Sequence, residues 1–136
     1  MFSIDRVYEL AIDLSEVSTI QTKIDFKQFD YNSCFINLVY HNSGTLIENI
    51  KENNVIGVFK SSDGKLFIDE NTNKPVRSLA RTTGDDKVIM MIPDEVLKHK
   101  GKITCETIII TPDKKRITSS AFIFNIQESL FDIDFE

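Results

Sequence analysis

The chain of 136 residues has no tryptophan, three tyrosines, three alanines, five glycines, three prolines and two cysteines. Each scarcity excludes something. Without tryptophan and with so little tyrosine, the flat rings on which a sugar site stacks are nearly missing. Three alanines against 19 isoleucines argue against a helical protein, because β-branched side chains lose rotamer freedom in helices and fit a pleated surface. The five glycines are dispersed, so no phosphate-cradling loop is present. Two cysteines and two histidines, all scattered, offer no zinc spacing. Residues 1–14 contain acids and no long apolar run, so no signal peptide is expected there. No stretch approaches the roughly 20 apolar residues of a membrane helix. No Asn-x-Ser/Thr acceptor occurs.

What is present is ordinary for a folded domain: 41% apolar and 27% charged residues. The length fits one domain with a core of its own. The net charge of -5 and pI near 5.1 count against nucleic acid as a partner, since phosphate recognition needs a basic face. The clusters Lys98-His99-Lys100-x-Lys102 and Lys114-Lys115-Arg116 read as solvated turn charges. Cys34 and Cys105 both fall in expected strands. A bridge between them would have no tryptophan to pack on it, and two small buried thiols are the expectation.

Tyr8, Leu10, Ile12 and Leu14 alternate with Glu9, Ala11 and Asp13, the period of a strand with one buried face. Residues 23–27 alternate again before 29–33 interrupt with turn formers. Residues 34–40 form a mostly apolar run, expected at the centre of a sheet, and 41–44 end it as a turn. Residues 47–54 are ambiguous. A strand over 55–60 meets Asp63-Gly64, a local hairpin signal, with 66–68 as the return. Residues 69–75 are polar loop, 76–81 a short weak strand, and 88–92 a further strand. Strands over 103–110 and 121–127 close the pattern, with Phe122, Phe124 and Ile126 on one face. No internal repeat or low-complexity stretch is visible.

One helical signal stands at about 93–100. Pro93 suits a first helical position. Asp94 and Glu95 suit the positive end of the helix dipole, Lys98 to Lys100 the negative end, and Gly101 a left-handed stop. So short a helix is not stable alone, so Val96 and Leu97 must pin it to the sheet. The expected fold is therefore all-β: an immunoglobulin-like antiparallel β-sandwich of about eight strands with one short helical turn. The domain is expected over 1–129, with 130–136 as a tail.

Catalytic chemistry is thin. Asp69, Asn71 and Asn73 alternate like a calcium loop, but Lys74 stands where the sharp-turn glycine belongs and Ala80 where the bidentate glutamate belongs. No Gly-x-Ser-x-Gly elbow occurs. His41 and His99 read as structural, Asp85-Asp86 as an exposed turn, and Ser61-Ser62-Asp63-Gly64-Lys65 as the hairpin itself. No catalytic residue, cofactor or metal site is expected, and the chain does not read as an enzyme. In the tail, Leu130, Phe131, Ile133 and Phe135 alternate with acids, and so much apolar surface at a free end marks a protein interface or a last edge strand.

Taken in order, these segments resemble the N-terminal domain of the phage baseplate upper protein family, found in the tail tips of phages of Gram-positive bacteria. Residues 8–15 look like its opening strand with the Asp13-Leu14-Ser15 step, and 20–30 like its second strand. Val58-Phe59-Lys60-Ser61-Ser62-Asp63-Gly64 is similar to its central hairpin. Ile92-Pro93 through Leu97, then Gly101-Lys102, match its turn, and 116–119 with 122–129 look like its closing strand. The resemblance spans nearly the whole chain. Its specificity lies in the order of the motifs, since each alone is ordinary sandwich grammar. Cys34, Cys105 and the polar loop at 69–75 depart from it. It implies a structural adaptor in the virion tail baseplate that docks receptor-binding or fibre parts on the baseplate core. It further implies other tail proteins as partners and a homo-oligomer, a trimer in longer members, with neither nucleic acid nor membrane bound. The alternative is a free-standing sandwich that binds carbohydrate or another host-surface ligand.

Overall fold

The computed structural model describes residues 4–82, 84 and 86–130. Strands β1 (Arg6–Asp13), β2 (Ile20–Lys27) and β3 (Cys34–Asn42) come first, and β4 (Thr45–Leu46) folds back on β3. A 3-10 turn at Ile50–Glu52 leads into β5 (Asn54–Lys60). Four short strands follow: β6 (Ile68–Asp69), β7 (Lys74–Pro75), β8 (Arg77–Leu79) and β9 (Arg81–Thr82). Then come β10 (Lys87–Met91), the helix α1 (Asp94–Leu97), β11 (Gly101–Ile110), β12 (Arg116–Thr118) and β13 (Phe122–Gln127). They form two main sheets, one in the order β1-β3-β10-β9 and one in the order β2-β13-β11-β5-β8, with β6-β7 a separate small hairpin.

Alternation sets the core. Ile12, Ile36, Leu38, Tyr40, Val88 and Met90 from the first sheet meet Phe26, Phe59, Ile103, Cys105, Phe122, Phe124 and Ile126 from the second, each at most 1% exposed. Edge-to-face rings run through this layer, Phe26 on Phe124 at 5.7 Å and Phe59 on Phe124 at 6.4 Å between centroids. Gly57 lies under Met90, where a Cβ would overlap the Met90 sulfur. One polar chain crosses the core. The Tyr40 hydroxyl donates to Thr107 Oγ1 at 2.7 Å, Thr107 Oγ1 donates to Ser119 Oγ at 2.8 Å, and Ser119 Oγ donates to the Ser120 carbonyl at 2.9 Å. Burial pushes the Tyr40 phenol well above its ordinary pKa.

The all-β sandwich stands as read, but its strands are not uniformly antiparallel. β1 pairs with β3 in parallel, and β13 with β2 in parallel, with a register break between Ile123 and Asn125. The cause is the path of the chain: β2 crosses to the opposite sheet before β3 returns, so β1 and β3 enter one sheet running the same way. The turn at Asp63-Gly64 forms, with Gly64 N–H on the Ser61 carbonyl at 2.9 Å. Its return is a single bridge, Lys60 to Leu66, rather than a strand over 66–68. The polar loop at 69–75 is partly ordered as β6-β7, and the weak strand at 76–81 divides between the two sheets as β8 and β9.

The helix is confined to Asp94–Leu97, with Pro93 preceding it as the extended cap residue. Val96 and Leu97 are fully buried, and they pin it as expected. Gly101 does take a positive φ of 103°, but as the first residue of β11. Cys34 and Cys105 are free and buried. Burial, followed by the negative charge of Asp30, pushes the Cys34 thiol up to about 11.

Candidate docking surfaces

The two margins of the sandwich are built differently. At the β1/β2 margin the Tyr8 hydroxyl donates to the Asp25 carbonyl at 2.8 Å while the Tyr8 ring meets Phe26 edge-on at 5.3 Å. Thr22 Oγ1 donates to the Ile123 carbonyl at 2.7 Å, and Asn125 Nδ2 to Asp25 Oδ1 at 2.9 Å. At the far end of β1 the Asp13 carboxylate accepts from Ser15 Oγ and from the backbone N–H of Ser15, Ser43 and Gly44. These bonds, the Ser15 hydroxyl foremost, hold its carboxyl well below the usual carboxylate range.

The opposite margin is open. Here Ser78 Oγ donates to the Met91 carbonyl at 2.6 Å and ties β8 to β10. Around that tie lies a groove of about 350 Å³, lined by Leu79, Ile89, Met91 and Pro93 and by Arg77 and Arg81. Leu79 is 65% exposed and Met91 37%. Neither arginine side chain has an ion pair or hydrogen bond to another described residue. On the outer face of the first sheet, register places the buried Phe35 between the exposed Val7 and Met91. In the next row Asn37 stands between Glu9 and Ile89, its side-chain oxygen enclosed without a partner among the described residues.

A second concavity, about 680 Å³, opens beside α1, between the turn at 61–71 and the start of β11. Lys65, Lys98, Lys100 and Lys102 share it with Asp63, Asp69, Glu70 and Glu95. The charges of these lining side chains therefore balance in number. Its only rings are Phe67 and His99, stacked edge-on at 4.9 Å. Lys100 is further occupied by Glu128 at 3.3 Å, both groups being exposed.

The residues weighed for chemistry do not converge. His41 lies near the end of β3 and His99 follows α1, which lies at the opposite end of that strand. Asp63 is engaged by Ser61 and by the Lys65 N–H within the turn, and the Asp69 carboxylate accepts the Asn71 N–H at 2.8 Å in another. Among the described residues no three His, Cys, Asp or Glu side chains are placed to hold a metal, and no helix is long and apolar enough to cross a membrane. Of the expected interface residues, Leu130 is 87% exposed, while Phe131, Ile133 and Phe135 lie outside the described residues. The approach to them is anchored, since the Ser129 N–H meets Gln28 Oε1 at 3.3 Å. Sequence reading passed over the groove. Its signal was Arg77-Ser78-Leu79-Ala80-Arg81, in which alternate residues are basic or apolar around a buried serine.

Fold and surfaces together define a two-layer β-sandwich whose exposed features are an apolar, basic margin and a mixed-charge cleft. No protein-family model matches the chain, and no curated protein matches it. Among solved structures it is similar to the N-terminal domain of phage TP901-1 ORF48, with a TM-score of 0.66 and 9% identity, covering 89% of this chain and 98% of that one. At that identity the likeness is one of fold.

Proposed function

We propose that this domain is a structural adaptor of a phage tail baseplate, working in the virion by protein–protein contact rather than by catalysis. It docks receptor-binding or fibre parts onto the baseplate core, with other tail proteins as partners. The observation that carries this reading is the match in fold to the N-terminal domain of phage TP901-1 ORF48 over nearly the whole of both chains. The ordered motifs at 8–15, 58–64 and 92–102 point the same way. Surface chemistry supports it too: the open margin offers apolar side chains and exposed arginines, the anchors typical of protein interfaces. The alternative of a sugar-binding module draws little support, because the cleft beside α1 contains neither tyrosine nor tryptophan. The test is co-expression with the tail proteins encoded beside it, followed by co-purification and electron microscopy, with a glycan array in parallel. A stoichiometric complex with a tail protein supports the adaptor. Glycan binding by a chain that joins no tail protein overturns it.

A further inference from the structure

We infer that the groove between β8 and β10 receives residues 130–136 of a second copy of this chain. The inference rests on reading the tail as a partner-contacting segment and names its receptor. The groove is chemically one-sided: Leu79, Ile89 and Met91 form its apolar surface, Arg77 and Arg81 stand in its lining, and no acid lines it among the described residues. Both arginines are unpaired among the described residues. Segment 130–136 is the complement: after Leu130, Phe131, Ile133 and Phe135 alternate with Asp132, Asp134 and Glu136, and no basic residue is among them. In extended form such a sequence presents apolar groups on one side and acids on the other. The first side meets the groove surface, and the flexible arginine stems reach the acids from the rim.

Geometry selects a second copy over the chain's own tail. Ser129 is held by Gln28 at the β2/β13 side, and the order β13-β11-β5-β8 puts the groove three strands away. Three interstrand spacings are about 14 Å. Residues 131–136, fully stretched, reach about 20 Å. In cis most of the segment is consumed crossing the sheet, and only its last residues arrive. In trans none of the segment is spent on that crossing.

The experiment is sedimentation of the full chain across a concentration series, alongside the groove variant Arg77→Glu/Arg81→Glu, the tail variant Asp132→Lys/Asp134→Lys, and their equimolar mixture. These positions are exposed or in the tail, and an unchanged circular dichroism spectrum checks that each variant folds. The expected result is self-association of the parent, weakened about tenfold or more in each variant alone, and recovered in the mixture, where complementary charges meet again. A parent that stays monomeric overturns the inference, as does a groove variant that associates as well as the parent. Loss of binding to a neighbouring tail protein in the groove variant, with self-association intact, assigns the groove to that protein and also overturns it. The adaptor reading would survive any of these, because it fails only with loss of all tail-protein binding.

Discussion

The two margins of the sandwich solve the same problem in opposite ways. Each ends in strands with unsatisfied neighbours, the usual liability of a sheet edge. At the β1/β2 side the chain closes on itself, with Tyr8 bonded to Asp25, packed on Phe26, and reinforced by Thr22 and Asn125. At the β8/β10 side one short serine bond ties the layers, and Leu79, Met91 and two arginines without a partner among the described residues face solvent. Closure takes no more than side chains the sequence already has. The open margin is where the proposed contact with a second copy falls.

The largest expected effect comes from the closed side. Phe26→Ala removes the ring that joins Tyr8 to Phe124 and is itself fully buried. It should cost about 3–5 kcal/mol, the range for a large-to-small aromatic change in a core. Denaturant unfolding measures this. A cost below about 1 kcal/mol would mean that the margin is not part of the core, and the contrast would fail.

Next is Gly57→Ala, where the added methyl would overlap the Met90 sulfur between the sheets. Overpacking of this kind costs about 1–3 kcal/mol. Met90→Ala should cost less in the Gly57→Ala background than in the parent, since the added methyl then fills part of the vacated space. Equal stability of Gly57→Ala and the parent would show that the layers separate easily there.

Smaller still is Tyr8→Phe, which keeps the ring on Phe26 and deletes the bond to the Asp25 carbonyl. A single hydrogen bond contributes about 0.5–1.5 kcal/mol. Amide exchange in β1 and β2 should quicken while β10 and β11 stay protected. Uniform change across the molecule would show that the bond does not act locally at the margin.

How far the sequence told these regions apart follows from what periodicity can encode. The closed side and the core were legible: alternation in β1, β2, β11 and β13 marks which side chains face inward, and Val96 with Leu97 announced the pinned helix. The parallel pairings were not, because alternation names a strand's buried face and says nothing of its neighbour or direction. The open margin was hidden for another reason. Residues 76–81 read as one weak strand, whereas Ala80 sits between β8 in one sheet and β9 in the other, and a change of sheet leaves no periodic trace. Arg77 and Arg81 then met as neighbours only in three dimensions.

The smallest expected effect on stability is deletion of residues 130–136, and it bears most directly on why one margin is open. Burying Leu130, Phe131, Ile133 and Phe135 is worth about 6–12 kcal/mol at 1.5–3 kcal/mol each. Ordering seven residues costs about 7–14 kcal/mol at 1–2 kcal/mol each. The two nearly cancel, and in cis most of the segment is spent crossing the sheet, so the segment adds little to the stability of the monomer. The shortened monomer should therefore unfold within about 0.5 kcal/mol of the parent, as surface changes do, while its assembly is lost. Thermal melting at low concentration and sedimentation at high concentration separate the two effects. A melting temperature lowered by many degrees in dilute monomer would instead make the segment an integral strand of the sandwich, and the open margin would then need another occupant.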